Sequence, residues 1–174
     1  MEPLTVRLRP FVEADLVMFD REATDTRYAA PFEWFGFTSS EPLRRRWRDD
    51  GLLGASPYYL AVATTDTDEC VGLVNWRSAE RAGPGVWEIG ILLDPQMRGR
   101  GVGTAAQRLL VDYLFSTTVA HRIWAGTEVD NIAEQRCLER CGFRQEGRLR
   151  GHHFRDGQWQ DSFIYGITRP DPRP

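Results

Sequence analysis

The 174-residue chain has no lysine: all 22 of its basic residues are arginine. That excludes Schiff-base catalysis and the phosphate-binding lysine of a Walker A loop, and it puts any lysine acylation on another molecule. Cysteine is scarce as well. Cys70, Cys137 and Cys141 cannot all pair, and no His or Cys stands near them at a metal-ligand spacing, so neither a disulfide framework nor a metal site is expected. No run approaches the roughly 18 apolar residues of a membrane span, and the opening Met-Glu-Pro-Leu-Thr has neither the basic nor the apolar region of a secretory signal. A cytoplasmic location with no membrane partner is the expectation. A surplus of positive charge is also missing: net charge −3 and a pI near 5.7 argue against a nucleic-acid partner.

What is present is enough apolar material, 41% of residues, for one core, and the length suits a single domain over 1–174 with a frayed tail at 170–174. Leu4, Val6 and Leu8 alternate with polar residues as in a half-buried strand. Residues 13–23 read as a helix with Leu16 and Phe19 inward, and 28–37 as an aromatic loop. Ser40 looks like an N-cap for a second helix, with Leu43 and Trp47 on one face and four arginines around the rest. Those arginines read as a solvated face, with an anion site as the alternative.

Three strands follow at 58–65, 71–79 and 86–93, separated by turns at 66–69 and 83–85, so consecutive antiparallel pairing is expected. Val102, Ala105, Ala106, Leu109, Leu110, Tyr113 and Leu114 then switch to helical spacing over 101–116. A short strand at 122–126 precedes a helix at 131–141, opened by a capping box of Asn131 with Glu134 and closed at Gly142. Cys137 and Cys141 share one face of it and read as small buried residues. Asp156-Gly157 signals a type I′ hairpin between two last strands. The order βααβββαβαββ, seven strands and four helices, is an α+β domain with a mostly antiparallel sheet.

The stretch that carries chemistry is Asp94-Pro95-Gln96-Met97-Arg98-Gly99-Arg100-Gly101-Val102-Gly103-Thr104, between a strand and a helix. Its glycines let backbone approach a ligand, and the free N–H groups of a helix start attract a pyrophosphate. A plain tight connection is the alternative. Arg98-x-x-Gly101-x-Gly103 after Asp94-Pro95 resembles the acetyl-CoA signature of the GNAT acyltransferases, and the element order is that superfamily's. Glu88-Ile89-Gly90, Asn131, Leu138-Glu139-Arg140-Cys141-Gly142-Phe143, Glu146-Gly147 with Leu149-Arg150, and Asp161 with Tyr165 resemble its RimJ/RimL (ribosomal-protein-alanine acetyltransferase) branch. The resemblance covers nearly the whole chain.

It implies an acetyl-CoA cosubstrate whose pyrophosphate is held by backbone amides of Arg98, Gly99, Arg100, Gly101, Val102, Gly103 and Thr104. Ile91, Leu92 and Leu93 would pair with the pantetheine arm, and Asn131 would contact CoA or only cap its helix. Two strands splaying apart would leave the thioester at the sheet centre. A primary amine, either a protein or peptide N-terminus or an amine-bearing small molecule such as an antibiotic or amino-acid conjugate, would attack it directly. No activated Ser or Cys nucleophile is visible.

A base must then take a proton, directly or through water. His153 stands where the branch often carries a glutamate, and an imidazole ordinarily titrates at about 6.5, suited to the task. Glu88 is the rival. His152, one residue along a strand, would point to the opposite face. Many relatives place a Tyr where this chain has Leu138, and the branch commonly a Ser where it has Glu134, so neither usual proton donor is present and Glu134 reads as half of a capping box. Phe32, Trp34, Phe35, Trp47 and Trp159 lie in segments that flank the acceptor in relatives, which are monomers or homodimers. A non-catalytic acetyl-CoA-binding module is the alternative function.

Overall fold

Period-two alternation along the central strands sends successive side chains to two separate cores. In the computed structural model, which describes residues 4–29, 31–79 and 84–173, the seven strands are β1 (Val6–Arg9), β2 (Tyr58–Thr64), β3 (Cys70–Ser78), β4 (Val86–Leu93), β5 (Arg122–Glu128), β6 (Arg144–Arg155) and β7 (Gln158–Thr168). They form one sheet in the order β1-β2-β3-β4-β5-β7-β6. Only β4 and β5 run parallel; every other neighbouring pair is antiparallel. Leu60, Val62, Val74, Trp76 and Ile89 project to one face, where they meet the helix α4 (Val102–Thr117) and Leu138 of α5 (Ile132–Arg140). Tyr59, Ala61, Leu73 and Leu92 project to the other, against α1 (Val17–Thr24), α2 (Thr26–Ala29) and α3 (Glu41–Asp50). Leu110 and Leu114 of α4 are wholly buried. Truncating either to alanine should cost about 2–5 kcal/mol, the transfer of the lost methyls plus the cavity left behind.

The structure corrects the sequence reading in four places. Among the described residues there are five α-helices, not four: Tyr28, assigned to the aromatic loop, lies in α2 and is buried. Asp25 drives this turn by accepting the N–H groups of Arg27 and Tyr28, a local signal that aromatic content obscured. Ser40 stands before α3, but its hydroxyl donates to Asp20, and the Glu41 N–H is taken by Ser39 Oγ at 3.2 Å. Asn131 caps α5 by accepting the Glu134 N–H, yet the Glu134 side chain does not reach back; Gln107 holds it instead. His152 and His153 do not face opposite ways, because β6 bulges between Leu149 and His153 with Gly151 at φ +55°, and their rings meet 5.6 Å apart.

Other expectations hold. Asp156 and Gly157 both have positive φ, as a type I′ turn requires. The arginines of α3 serve the scaffold: Arg44 pairs with Asp20, Arg48 with Glu41, and Arg46 donates to the carbonyls of Ala55 and Pro57. Cys137 and Cys141 are buried. The expected turn at 83–85 lies partly outside the described residues, as does Pro174 of the expected tail.

Candidate active site

Two strands that start as neighbours and part company make the site. The β4–β5 ladder runs from Val86↔Arg122 to Glu88↔Trp124 and stops. Beyond it β5 stays with β7, while the last residues of β4 keep only their β3 partners, so one backbone edge of β4 is left open. A cleft of about 460 Å³ follows that opening, lined by Ile91, Leu92 and Leu93 on one wall and by Asn131, Glu134, Cys137 and Arg140 of α5 and its cap on another. Gly99, Gly101, Gly103 and Thr104 of the glycine turn also line it, as do Pro31, Phe32 and Glu33 of the aromatic loop.

The glycine turn is shaped for close approach. Gly99 and Gly101 have φ of +72° and +82°, and a Cβ on either would meet nothing within 4 Å, so the backbone faces open space. Gly101 is the N-cap of α4, whose first N–H groups point outward with the helix's partial positive charge. A Cβ at Gly103 would sit 3.5 Å from Cys137 Sγ and from Leu93 Cδ1, at the surface of the cleft wall. These features would suit a pyrophosphate and a pantetheine arm, the groups that the family resemblance implies. The side chains of the turn do other work. Arg98 ties it to the sheet by donating to Leu93 O at 3.2 Å and Tyr28 O at 2.6 Å. Val102 is wholly buried in the core, and the Arg100 guanidinium rests on Met97 Sδ.

Against the aromatic loop stands a network that sequence reasoning missed. Glu128, at the end of β5, is 5% exposed and receives Arg155 through two hydrogen bonds, Nε to Oε1 at 2.7 Å and Nη2 to Oε2 at 2.6 Å. His153 Nε2 lies 2.7 Å from Glu128 Oε1. Burial works to raise the Glu128 carboxyl, but the bonds from Arg155 and His153 outweigh it and hold the group below the usual carboxylate range. An ionised carboxylate only accepts, so His153 Nε2 carries the hydrogen and Nδ1 is left as the basic nitrogen, 3.5 Å from Ser162 Oγ. The expected strand at 122–126 stopped two residues short of Glu128, so nothing local marked it.

The aromatic loop closes over this network. Phe35 packs edge-on against His153, ring centres 5.6 Å apart, and Phe32 lies beneath the Arg155 guanidinium at 5.5 Å. Glu33 is pushed above the usual carboxylate range, first by loss of water between the cleft walls and then by Glu128; Arg98, His153 and Arg155 pull it back. Glu22 on α1 is pushed up to about 7, by burial and then by Glu33.

Among the expected acceptor residues the structure brings Phe32 to the cleft wall and Phe35 onto His153. Trp34 pairs with Phe37. Trp47 packs into the second core and donates its indole N–H to Phe11 O at 2.9 Å. Trp159 pairs with Phe154 at the exposed tip of the last hairpin. Of these five, Phe32 alone lines the cleft. Glu88 is committed elsewhere: Arg77, directly across the β3–β4 ladder, grips both of its oxygens, at 2.7 and 2.5 Å. Among the described residues no group of His, Cys, Asp or Glu could hold a metal ion, and no helix is long and apolar enough to cross a membrane.

Comparison with known proteins agrees with this geometry. The acetyltransferase (GNAT) domain family matches residues 5–144. The "Probable N-acetyltransferase YjcK" of Bacillus subtilis (strain 168) is 35% identical over 114 residues, 66% of this chain and 63% of that protein. The [Ribosomal protein uS5]-alanine N-acetyltransferase of Escherichia coli (strain K12) is 28% identical over 119 residues, 68% of this chain and 61% of that protein. The matched region thus spans under two thirds of the length of these curated relatives. Spermidine N-acetyltransferase from Vibrio cholerae, solved with CoA and spermine, superposes with a TM-score of 0.82 over 95% of this chain and 96% of that one, at 20% identity. Mycobacterium smegmatis RimJ, solved with CoA-disulfide, does so at 0.78 over 94% and 82%, at 24% identity. With its fold, its glycine turn and its splayed strands now placed, the chain belongs to the GNAT acetyltransferase family.

Proposed function

We propose that the protein transfers the acetyl group of acetyl-CoA to a primary amine by direct attack on the thioester, with His153 as the base. The observation that carries this reading is a cleft lined both by the open glycine turn and by Phe32 and Glu33 of the aromatic loop, the loop that packs on the network of Glu128, His153 and Arg155. Acetyl-CoA supplies the activated acyl group. Backbone N–H groups of Arg98 to Thr104 would bind its pyrophosphate, and the open edge of β4 at Ile91 to Leu93 would hold the pantetheine arm as an added strand.

An amine arrives largely as an ammonium, since α-amino groups titrate at about 7.7–8.0 and alkylamines near 10. Glu33, on the wall, would favour that cation in its ionised form, although Arg98, His153 and Arg155 act on the same carboxyl. His153 is not itself part of the wall, so Nδ1 takes the proton directly or through a water. Glu128 stabilises the imidazolium that results, as an ionised carboxylate does for any base it orients. The relatives' names point to amine acceptors of both expected kinds, a ribosomal-protein alanine and spermidine. For this chain the acceptor is a protein or peptide N-terminus or an amine-bearing small molecule.

The test is a mass-spectrometric screen with acetyl-CoA, comparing peptides that begin Ala, Ser or Met with polyamines and other small amines, while free CoA release is followed. Acetylation of one class above the rest is expected. Tight acetyl-CoA binding with no CoA release across the panel would instead support a binding module without turnover.

A further inference from the structure

Gln107 of α4 is 2% exposed and donates Nε2 to Glu134 Oε1 at 2.6 Å, and its own Oε1 has no partner. A buried amide oxygen left alone calls for an explanation. A carboxylate facing a primary amide can take only the N–H, and its second oxygen then opposes the amide oxygen, lone pair to lone pair. A carboxylic acid facing the same amide satisfies both partners: its carbonyl accepts the N–H while its O–H donates to the amide oxygen, closing a ring of two hydrogen bonds. Glu134 is the side chain hydrogen-bonded to Gln107, and a proton on its carboxyl would supply the donor that the amide oxygen lacks.

The surroundings point the same way. Glu134 lines the cleft beside Gly103 and Thr104. Facing it are Gln107 of α4, Cys137 of its own helix and Glu33 of the aromatic loop, none of which supplies a positive charge. Arg98, Arg136 and Arg140 stand farther along the same walls. Loss of water, then Cys137 and Glu33, push the carboxyl up to about 8, against the pull of Gln107. We propose that Glu134 is carried as a neutral acid paired to Gln107, and that acetyl-CoA enters the cleft over this protonated form. The proposal rests on reading the cleft as the acetyl-CoA site.

Bound acetyl-CoA would displace the remaining water from Glu134 and bring phosphate charge into the cleft, and both effects disfavour the carboxylate. The bound form therefore holds the Glu134 proton to higher pH than the free form. By linkage, affinity is constant below the free value and falls by up to tenfold per pH unit above it, with a proton taken up on binding.

Titration of the whole protein with acetyl-CoA, which has no free thiol, tests this. Between about pH 7 and about pH 9.5 the wild type should weaken roughly tenfold, with proton uptake read from calorimetry in buffers of different ionisation heat. Glu134→Gln, which keeps an amide partner for Gln107, should change less than about twofold and take up no proton. An infrared carbonyl band of a protonated carboxyl, present at neutral pH and lost when the free protein is made alkaline, should disappear in the same variant. Should that variant fail to fold, uptake and the band in the wild type decide. A wild type with pH-independent affinity, or a Glu134→Gln protein that keeps the wild-type slope, overturns the proposal while leaving the cleft reading intact. No binding at any pH overturns the cleft reading and the proposal with it.

Discussion

The glycine turn and the Glu128–His153 network are built from different materials. The turn offers main-chain groups: positive-φ glycines, the first N–H groups of α4 and the open edge of β4, all between Ile91 and Thr104. The network offers side chains gathered from far apart, with Glu128 from β5, His153 and Arg155 from β6, and Phe32, Glu33 and Phe35 from the loop before α3. Backbone contacts recognise a cofactor common to a whole family and tolerate side-chain change. A side-chain network can be exchanged piece by piece, which lets one fold accept different amines.

The difference breaks most sharply at His153. His153→Ala should lower turnover by about 100-fold to 10,000-fold, the span typical of a lost general base, while acetyl-CoA affinity stays near wild type. The ascending limb of the rate–pH profile should vanish with it. Near-normal turnover with an unchanged profile would show that the amine is taken already neutral, or that another group is the base.

At the glycine turn the effect should be on binding. Gly101→Pro places a residue fixed near φ −65° where the chain needs +82°, and Gly103→Asp sets a carboxylate in the cleft wall beside the expected pyrophosphate. Either should weaken acetyl-CoA by about 100-fold, equivalent to roughly 3 kcal/mol. Arg98→Ala should matter less to the ligand than to the fold, since its side chain clamps Leu93 and Tyr28. Wild-type affinity in a folded Gly103→Asp protein would remove the turn from the cofactor site.

Glu128→Gln sharpens the comparison, because it acts through His153 rather than on substrate. With the charge gone, His153 loses the partner that fixes its tautomer, and turnover should fall by about tenfold, less than for His153→Ala. Arg155 loses its principal anion, so stability should fall by about 1–3 kcal/mol by chemical denaturation. The distinguishing readout is the pH profile, whose ascending limb should shift in Glu128→Gln. A drop in stability with an unshifted profile would make Glu128 a purely structural anchor of Arg155.

These contrasts also explain what could be read from the sequence. Strand alternation, the helix spelled by Val102 to Leu114, the Asp156-Gly157 turn and the glycine signature are local patterns, and the structure keeps them, although Leu109 and Tyr113 of that helix stripe are exposed. Capping assignments failed where a better partner arrived from elsewhere: Gln107 took Glu134, and Asp20 took Ser40. His152 was misplaced because one left-handed glycine, Gly151, upsets strand alternation without any effect on composition. Glu128 was invisible because its meaning depends on Arg155, 27 residues later, and on the β5–β7–β6 order that brings the two together.

The smallest effect should come from the rival base. Glu88 and Arg77 are register partners on β3 and β4, joined by two hydrogen bonds, with the Arg77 side chain 59% and the Glu88 side chain 21% exposed. A cross-strand pair open to water on one side is worth about 0–1 kcal/mol, so Glu88→Gln should barely move the denaturation midpoint. A carboxylate gripped on both oxygens by a guanidinium is also a poor proton acceptor, because taking a proton means releasing one of those bonds. Turnover of Glu88→Gln should therefore stay within about twofold of wild type, with the same pH profile. If turnover instead falls as far as it does in His153→Ala, the proton leaves toward the β3–β4 edge. The network around Glu128 would then be a clasp that holds the aromatic loop, and acceptor recognition would have to be sought on the Glu88 side of the sheet.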